Sequence, residues 1–400
     1  MNDMTPVITP EAERYLEALA AELEVDPSRY ESAERSYNSL GKWLHRESST
    51  VLQYDPQVYV QGSFRLGTAI KPLNDDEEYD VDSVCEFKAL TKTSMTQNQL
   101  KAKLGVEIKA YAAANNMTKP VVPGRRCWTL RYADGAQFHM DIVPAVPNAE
   151  GQKALLDSRG MSSLWTSTAI AITDETDANY YALSDDWPRS NPKGYGNWFR
   201  SKVVAVEKKK RFTDAAKAEV ESMPTHRIRT PLQSAIMILK RHRDVMFADR
   251  KDERPISVII TTLAAHADAG ELTIGKALVS ILSGMDRFIK RDTMGNDVIE
   301  NPTDPLENFA DKWPKHPERR KAFYEWLETA RQDFMEAARQ SERRKITDSV
   351  ARGVGRGLSE AAGVRTFGAA APAVLTSGLV SSQAAAKESA VRLEGGGRNA

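Results

Sequence analysis

Two aspartates stand two positions apart in an alternating run, Tyr79-Asp80-Val81-Asp82-Ser83-Val84. On a β-strand, residues two apart project to one face, so both carboxylates converge on one point. Their mutual repulsion is costly unless a cation sits between them. A fold for this chain therefore has to place that strand where a cation can reach it.

Just upstream, the apolar run Val58-Tyr59-Val60 leads into Gln61-Gly62-Ser63-Phe64-Arg65-Leu66-Gly67-Thr68. Glycine lets backbone approach a ligand closely, and successive N–H groups with a hydroxyl can cradle phosphate oxygens. Downstream, Phe138-His139-Met140-Asp141-Ile142-Val143-Pro144 is a second strand-like run. Its carboxylate, Asp141, costs free energy among apolar neighbours unless paired, hydrogen-bonded or on a metal. Each piece alone is common, since Gly-Ser turns occur everywhere and acidic pairs are usually solvated. In this order and spacing they are the equipment for nucleotidyl transfer. Three carboxylates on neighbouring strands can hold two Mg²⁺ ions about 4 Å apart, Mn²⁺ being an alternative, to activate an attacking hydroxyl and stabilise leaving pyrophosphate.

The pattern GSFRLGT, then YDVD, then HMDIVP resembles the nucleotidyltransferases of the DNA polymerase β-like superfamily. More narrowly it resembles the bacterial cGAS/DncV-like enzymes (CD-NTases) of CBASS anti-phage systems. PLQSAIMILKRHRDVMF at 231–247, PISVIITTLAAHA at 255–267 and NPTDPLENFADKW at 301–313 look like that family's helical half, and the likeness spans roughly residues 35 to 370. It implies an α+β fold with a polymerase β-like mixed-sheet core, a helical second lobe and an N-terminal spine helix bridging the two. It implies Asp80, Asp82 and Asp141 as catalytic and metal-binding residues. Nucleotide binding falls to Gln61, Gly62, Ser63 and Thr68, with Lys240 on the triphosphate and Ser257 nearby. The implied reaction joins NTPs into a cyclic di- or trinucleotide that activates an effector encoded nearby. A ribose hydroxyl attacks the α-phosphorus in line, pyrophosphate leaves, and Asp141 is a candidate to take the hydroxyl's proton.

Other readings stay open. The 2′-5′ oligoadenylate synthetases share this core, so a linear product is one alternative. An enzyme modifying an RNA or protein acceptor is another, and a catalytically silent scaffold a third. Lys+Arg and Asp+Glu are both 55, so formal net charge is zero and no global field draws nucleic acid or membrane. No apolar stretch approaches the roughly 18 residues of a membrane span, and no signal pattern opens the chain, so a cytoplasmic location is expected. The two cysteines, Cys85 and Cys127, have no metal-ligand or disulfide spacing and read as small core residues. The six histidines include no close pair, which argues against zinc.

Four hundred residues have room for two domains. Residues 1–50 read as N-terminal helices, 51–185 as the nucleotidyltransferase core, 186–347 as the helical lobe and 348–400 as a C-terminal segment. Thr9-Pro10-Glu11 signals a helix start, with Tyr15, Leu16, Leu19 and Leu23 following at helical spacing. A second helix is expected over about Ser28–Ser49 with a Tyr37/Leu40/Trp43/Leu44 stripe. Strands are expected at 58–60, 79–87, 126–132 and 137–143, a helix at 97–115 and a hairpin turn at 133–136. The stretch from Leu183 to Phe199 has loop composition. The basic run at 208–211 is either an electropositive rim or a solvated helix face, and Arg65 and Lys71 either touch phosphate or sit at the surface. The 232–247 segment reads as an amphipathic helix. At 255–262 β-branched residues favour a strand, whereas the resemblance implies a helix. Helices are expected at 274–291 and 317–341, with an ordered loop leading to a short helix at 301–313. From about Asp348 Ala, Gly and Ser dominate without sustained period, and past about 370 a flexible tail is expected. Its end, Glu394-Gly395-Gly396-Gly397-Arg398-Asn399-Ala400, is thin enough to thread the ubiquitin-activating-like conjugation partner of some CBASS operons, though an unselected terminus explains it as well.

Overall fold

Local capping signals set the first two helices. Thr9 caps α1 (Pro10–Glu22), its hydroxyl accepting from the Ala12 N–H at 3.1 Å. Asp26 caps α2 (Pro27–Leu44) through the Ser28 N–H at 2.9 Å. The helix ends at Leu44, short of the expected Ser49, with the His45 backbone N–H at 3.3 Å and its ring Nδ1 at 2.8 Å both meeting the Gly41 carbonyl. The structure, a computed structural model, describes residues 7–74, 77–132, 138–204 and 229–368. The expected turn at 133–136, the basic run at 208–211 and the glycine-rich end lie outside the described residues.

There follow β1 (Pro56–Val60), α3 (Gly62–Leu66), β2 (Tyr79–Phe87), α4 (Gln97–Ala114), β3 (Val122–Pro123), β4 (Trp128–Arg131) and β5 (Phe138–Pro147). Then come α5 (Ala149–Ser158), β6 (Ile170–Ile172), β7 (Arg189–Ser190) and α6 (Pro192–Val204). The strands form one mixed sheet, ordered β1-β2-β5-β4-β3, with β6 and β7 continuing from the far half of β5. β2 and β5 are parallel, and β1 and β4 flank them antiparallel. One face of β2 sends Val81, Cys85 and Phe87 into a core shared with Leu100, Leu104 and Ile108 of α4 and Tyr37 and Leu40 of α2. Burying each of those large side chains is worth roughly 2 kcal/mol. The other face carries Asp80 and Asp82 and, past them, Val84 in a small cluster with Tyr59 and Ala145.

The second half holds α7 (Pro231–Met246), α8 (Ser257–Ala267), α9 (Ile274–Gly284), the ribbons β8 (Lys290–Arg291)/β9 (Asp297–Val298) and β10 (Glu300–Asn301)/β11 (Asp304–Asn308), then α10 (Pro317–Arg339), α11 (Arg343–Val354) and α12 (Arg356–Phe367). Its core joins Ile236, Leu239, Phe323 and Trp326 to Tyr15 and Leu19 of α1. The two N-terminal helices thus split: α1 belongs to the helical core and α2 to the sheet core, where the Tyr37 hydroxyl donates to the Val58 carbonyl at 2.8 Å.

Several segments depart from local signals. The β-branched run Val258–Thr262 is helical because Ile259 through Ala265 are buried among neighbouring helices, which overrides propensity. The helix begun at Ile274 stops at Gly284 and gives way to a 3₁₀ turn and β8, rather than running to Arg291. In place of a loop and short helix, residues 300–308 form the β10/β11 hairpin, whose turn is satisfied by the Asn301 side chain accepting from Thr303. The glycine-rich 192–198 stretch is helical because Asn191 caps it through the Gly194 N–H at 2.9 Å. Gly196 admits the Arg65 side chain, which a β-carbon would meet at 2.6 Å.

Residues 348–367 are helical rather than irregular, completing α11 and forming α12, which lies on α1 and α11. Its small residues allow close approach, and the buried Ser359 hydroxyl bonds the Tyr15 hydroxyl at 2.7 Å. Ending the chain after Gly355 removes α12 alone, uncovers that face of α1 and is expected to lower Tm by roughly 10 °C. An unchanged melting curve would show α12 to be dispensable.

Candidate active site

Gln61 through Thr68 wrap around the end of β2. The Gln61 N–H donates to the Asp82 carbonyl at 2.9 Å, and the Thr68 N–H donates to the Ser63 carbonyl at 3.0 Å. Gly62 has φ +60, and a β-carbon there would stand 2.2 Å from Asp82 Oδ2. Only glycine accommodates both the left-handed backbone and this contact.

The cleft between the sheet and the helices encloses about 560 Å³. Gln61, Gly62, Ser63, Thr68, Asp80 and Asp82 line it from the sheet side, and Lys240 and Ser257 from the helical side. Asp141 stands one strand away from Asp82 and directly opposite it in the parallel register, while Asp80 is opposite His139. The four side chains therefore make a two-by-two array on one face. The Thr129 hydroxyl donates to Asp141 Oδ1 at 2.5 Å, and Ser83 donates to the Asp141 carbonyl at 3.0 Å.

Beside Asp80 stands His139, which no spacing to another histidine marks in the sequence. Its Nε2 lies 3.3 Å from Asp80 and its Nδ1 3.4 Å from Glu78. The bond to Asp80 leads the raising of its pKa. Asp80, His139 and Asp141 each bring a ligand atom within 4.8 Å of the others, a grouping able to hold a metal ion. The signal was present: His139 and Asp141 are two apart on an alternating strand, so they share a face.

Burial first, then the charges of Asp80 and Asp141, push the Asp82 carboxyl up to about 7. Three carboxyl groups facing one another in this way fit a divalent cation. Their oxygens suit a hard ion such as Mg²⁺ or Mn²⁺.

Lys240 comes from α7, which is amphipathic as expected, with Leu232, Ala235, Ile236 and Leu239 in the core, yet is buried all along Leu232–Arg243. Both faces are covered because its polar side grips the loop after α3. Gln233 donates to the Leu66 carbonyl at 2.8 Å, Lys240 Nζ to the Thr68 carbonyl at 2.8 Å and Arg241 to the Pro72 carbonyl at 3.1 Å. Burial, helped by the Arg243 charge, lowers the Lys240 ammonium to about 8. Below that pH it is cationic, and above it the charge is lost. The KM for a nucleoside triphosphate should therefore rise as pH passes upward through about 8, and Lys240→Arg should move that limb to higher pH.

Arg65 and Lys71 both border the cleft. Arg65 also donates to the Val60 carbonyl at 3.3 Å, which gives it a structural task. Cys85 is buried and Cys127 half-buried, both as free thiols.

Residues 11–179 match the family model described as the Second Messenger Oligonucleotide or Dinucleotide Synthetase domain, SMODS. A c-di-GMP synthase of Roseivirga ehrenbergii is 28% identical over 338 residues, covering 82% of this chain and 81% of that protein. The cyclic dinucleotide synthase CdnG of Bradyrhizobium diazoefficiens is 24% identical over 341 residues, covering 81% and 75%. The solved structure of that organism's CD-NTase CdnG in complex with GTP aligns with a TM-score of 0.64 at 21% identity, over 89% of this chain and 99% of that one. The Vibrio cholerae DncV cyclic AMP-GMP synthase with its linear intermediate aligns with a TM-score of 0.55 at 13% identity, over 89% and 98%. These likenesses establish the α+β fold of a mixed sheet with a helical lobe. Among the described residues no helix is long and apolar enough to cross a membrane.

Proposed function

We propose that this chain is one of the bacterial cGAS/DncV-like nucleotidyltransferases (CD-NTases) and condenses two nucleoside triphosphates into a cyclic dinucleotide second messenger for anti-phage defence, a reading supported by the SMODS match and the two synthase relatives. GTP is the first substrate to consider, given the relatives described as c-di-GMP synthase and as a GTP complex. The observation that carries the reading is the register of Asp82 opposite Asp141, with Gly62 packed on the Asp82 carboxylate.

Ser63, Lys240 and Ser257, with the Gln61, Gly62 and Thr68 positions around them, hold the triphosphate. Asp80, Asp82 and Asp141 hold divalent cations, Mg²⁺ or Mn²⁺. Bound there, such ions supply charge neutralisation at the α-phosphorus and acidify the attacking hydroxyl. Asp141, whose Oδ1 accepts from Thr129, has its second oxygen for the proton of the ribose hydroxyl. The new P–O bond forms as the bond to the β-phosphate breaks and pyrophosphate departs. A second round on the linear intermediate closes the ring. Most of the catalysis is positioning and charge stabilisation. The NTP requirement fits work in the cytoplasm, with the product activating an effector. Conjugation through the glycine-rich end is a separate proposal, and removing residues 395–400 should end it without changing synthesis by the purified enzyme.

The test is incubation of purified protein with all four NTPs and Mg²⁺ or Mn²⁺, followed by phosphatase and mass spectrometry. A phosphatase-resistant, guanine-containing cyclic dinucleotide is expected. Linear products alone would overturn cyclisation, and product formed only with added RNA or protein would turn the reading toward a macromolecular acceptor.

A further inference from the structure

Ser257 opens α8, and the side chain that holds its hydroxyl is Arg243, one turn along α7 from Lys240. We propose that Arg243 is a positioning residue of the nucleotide site, fixing the Ser257 hydroxyl so that its hydrogen is presented to a phosphate oxygen. This rests on the nucleotide-binding reading above.

Arg243 is 5% exposed yet borders the cleft. A buried guanidinium is tolerated only when its donors are occupied. Nε and one terminal nitrogen donate to Asp244 Oδ1 at 2.9 and 2.6 Å. The other terminal nitrogen donates to the Pro255 carbonyl at 3.0 Å and to Ser257 Oγ at 2.8 Å. Arg254 shares Asp244 at 3.2 Å, so a continuous chain of polar contacts runs from Arg254 to Ser257.

Two consequences follow from the chemistry of the groups. A guanidinium has donors and no acceptor, so Ser257 Oγ must be the acceptor in their bond. The serine's own hydrogen is then left over, and among the described residues Ser257 Oγ donates no hydrogen bond. An anion in the cleft supplies an acceptor. Second, the grip on the Pro255 carbonyl fixes the turn that enters α8, whose start has no side-chain cap. The planar fork of arginine serves Asp244 and the two oxygens together, which a lysine point charge does not.

The test is binding of a GTP analogue with an α,β-methylene bridge, in Mn²⁺, by calorimetry, with KM and kcat measured on GTP in parallel. The proteins are wild type, Ser257→Ala, Arg243→Met, the double variant and Arg243→Lys with and without Ser257. Each single variant should weaken binding about tenfold and raise KM with a much smaller change in kcat. The double variant should be no weaker than the worse single one. Arg243→Lys should recover part of the loss when Ser257 is present and none in the Ser257→Ala background.

Binding within twofold of wild type for Arg243→Met, or independent losses that multiply in the double variant, would overturn the proposal. If Arg243→Met does not melt as a folded protein, the Arg243→Lys pair decides by the same criterion. A wild type that binds the analogue and shows the coupling, yet makes no cyclic product from GTP, would sink the proposed reaction and leave the role of Arg243 standing. A wild type that does not bind the analogue would overturn both.

Discussion

Replacing Asp80 and Asp82 together by alanine should reduce product formation by at least about a thousandfold, because two of the three carboxylates that hold the neutralising cations are gone and Asp141 is left to do so alone. The same variant should not be less stable. Asp82 is packed against Gly62 and faces two other carboxyl groups, and its pKa is pushed up to about 7 by burial, then by Asp80 and Asp141. An acid whose folded pKa lies above its unfolded value costs folding free energy once the unfolded carboxyl ionises. That penalty grows as pH rises from about 4 to about 7. Asp82→Asn alone should therefore raise Tm more at pH 7.5 than at pH 4, while activity is lost. Thermal melts at both pH values, beside a product assay, check this. A lower Tm at pH 7.5 would mean that the carboxylates stabilise the fold rather than strain it, and retained turnover would remove them from the chemistry.

Gly62→Ala is expected to lower kcat about a hundredfold with the fold intact, the size of loss that follows a misplacement of about 1 Å at a reacting centre. The added methyl would lie 2.2 Å from Asp82 Oδ2, so either the carboxylate or the backbone has to move. The left-handed backbone at φ +60 adds a cost of about 1–2 kcal/mol. Gly160 separates the two effects. It has φ +65 and nothing within 4 Å of where its β-carbon would be. Gly160→Ala should therefore lower Tm without touching kcat. Similar kcat losses in both variants would assign the effect to backbone strain and not to Asp82.

The site was legible where chemistry and periodicity coincide. Alternation alone placed Asp80 and Asp82 on one face, and the apolar setting of Asp141 marked a second strand. The parallel pairing that sets Asp82 against Asp141 is a property of chain topology, and no local residue pattern specifies it. His139 was overlooked for a different reason. As a lone histidine it has no ligand spacing to another histidine, and its meaning comes from the neighbouring strand that brings Asp80 to it. Arg243 gave no signal either, because a charged residue on a helix usually faces water, and only packing from both sides buries it.

The fold shows the same division. Thr9, Asp26 and Thr96 cap helices by local rules, and those starts were readable. The run Val258–Thr262 would have been a strand on propensity, and only the resemblance gave a helix. Asn191 turned a glycine-rich stretch into α6, and α12 is held on α1 by contacts more than 300 residues apart in sequence, such as Tyr15 with Ser359. Composition carries no trace of such partners.

The most direct test of the carboxylate array is a crystal of the protein grown with Mn²⁺ and the α,β-methylene GTP analogue, with manganese located by anomalous scattering. Manganese is expected in coordination contact with Asp80, Asp82 and Asp141, and the triphosphate beside Ser63, Lys240 and Ser257. Manganese bound away from Asp82 and Asp141, or a nucleotide seated outside the cleft, would contradict the assignment of this cleft as the reaction site.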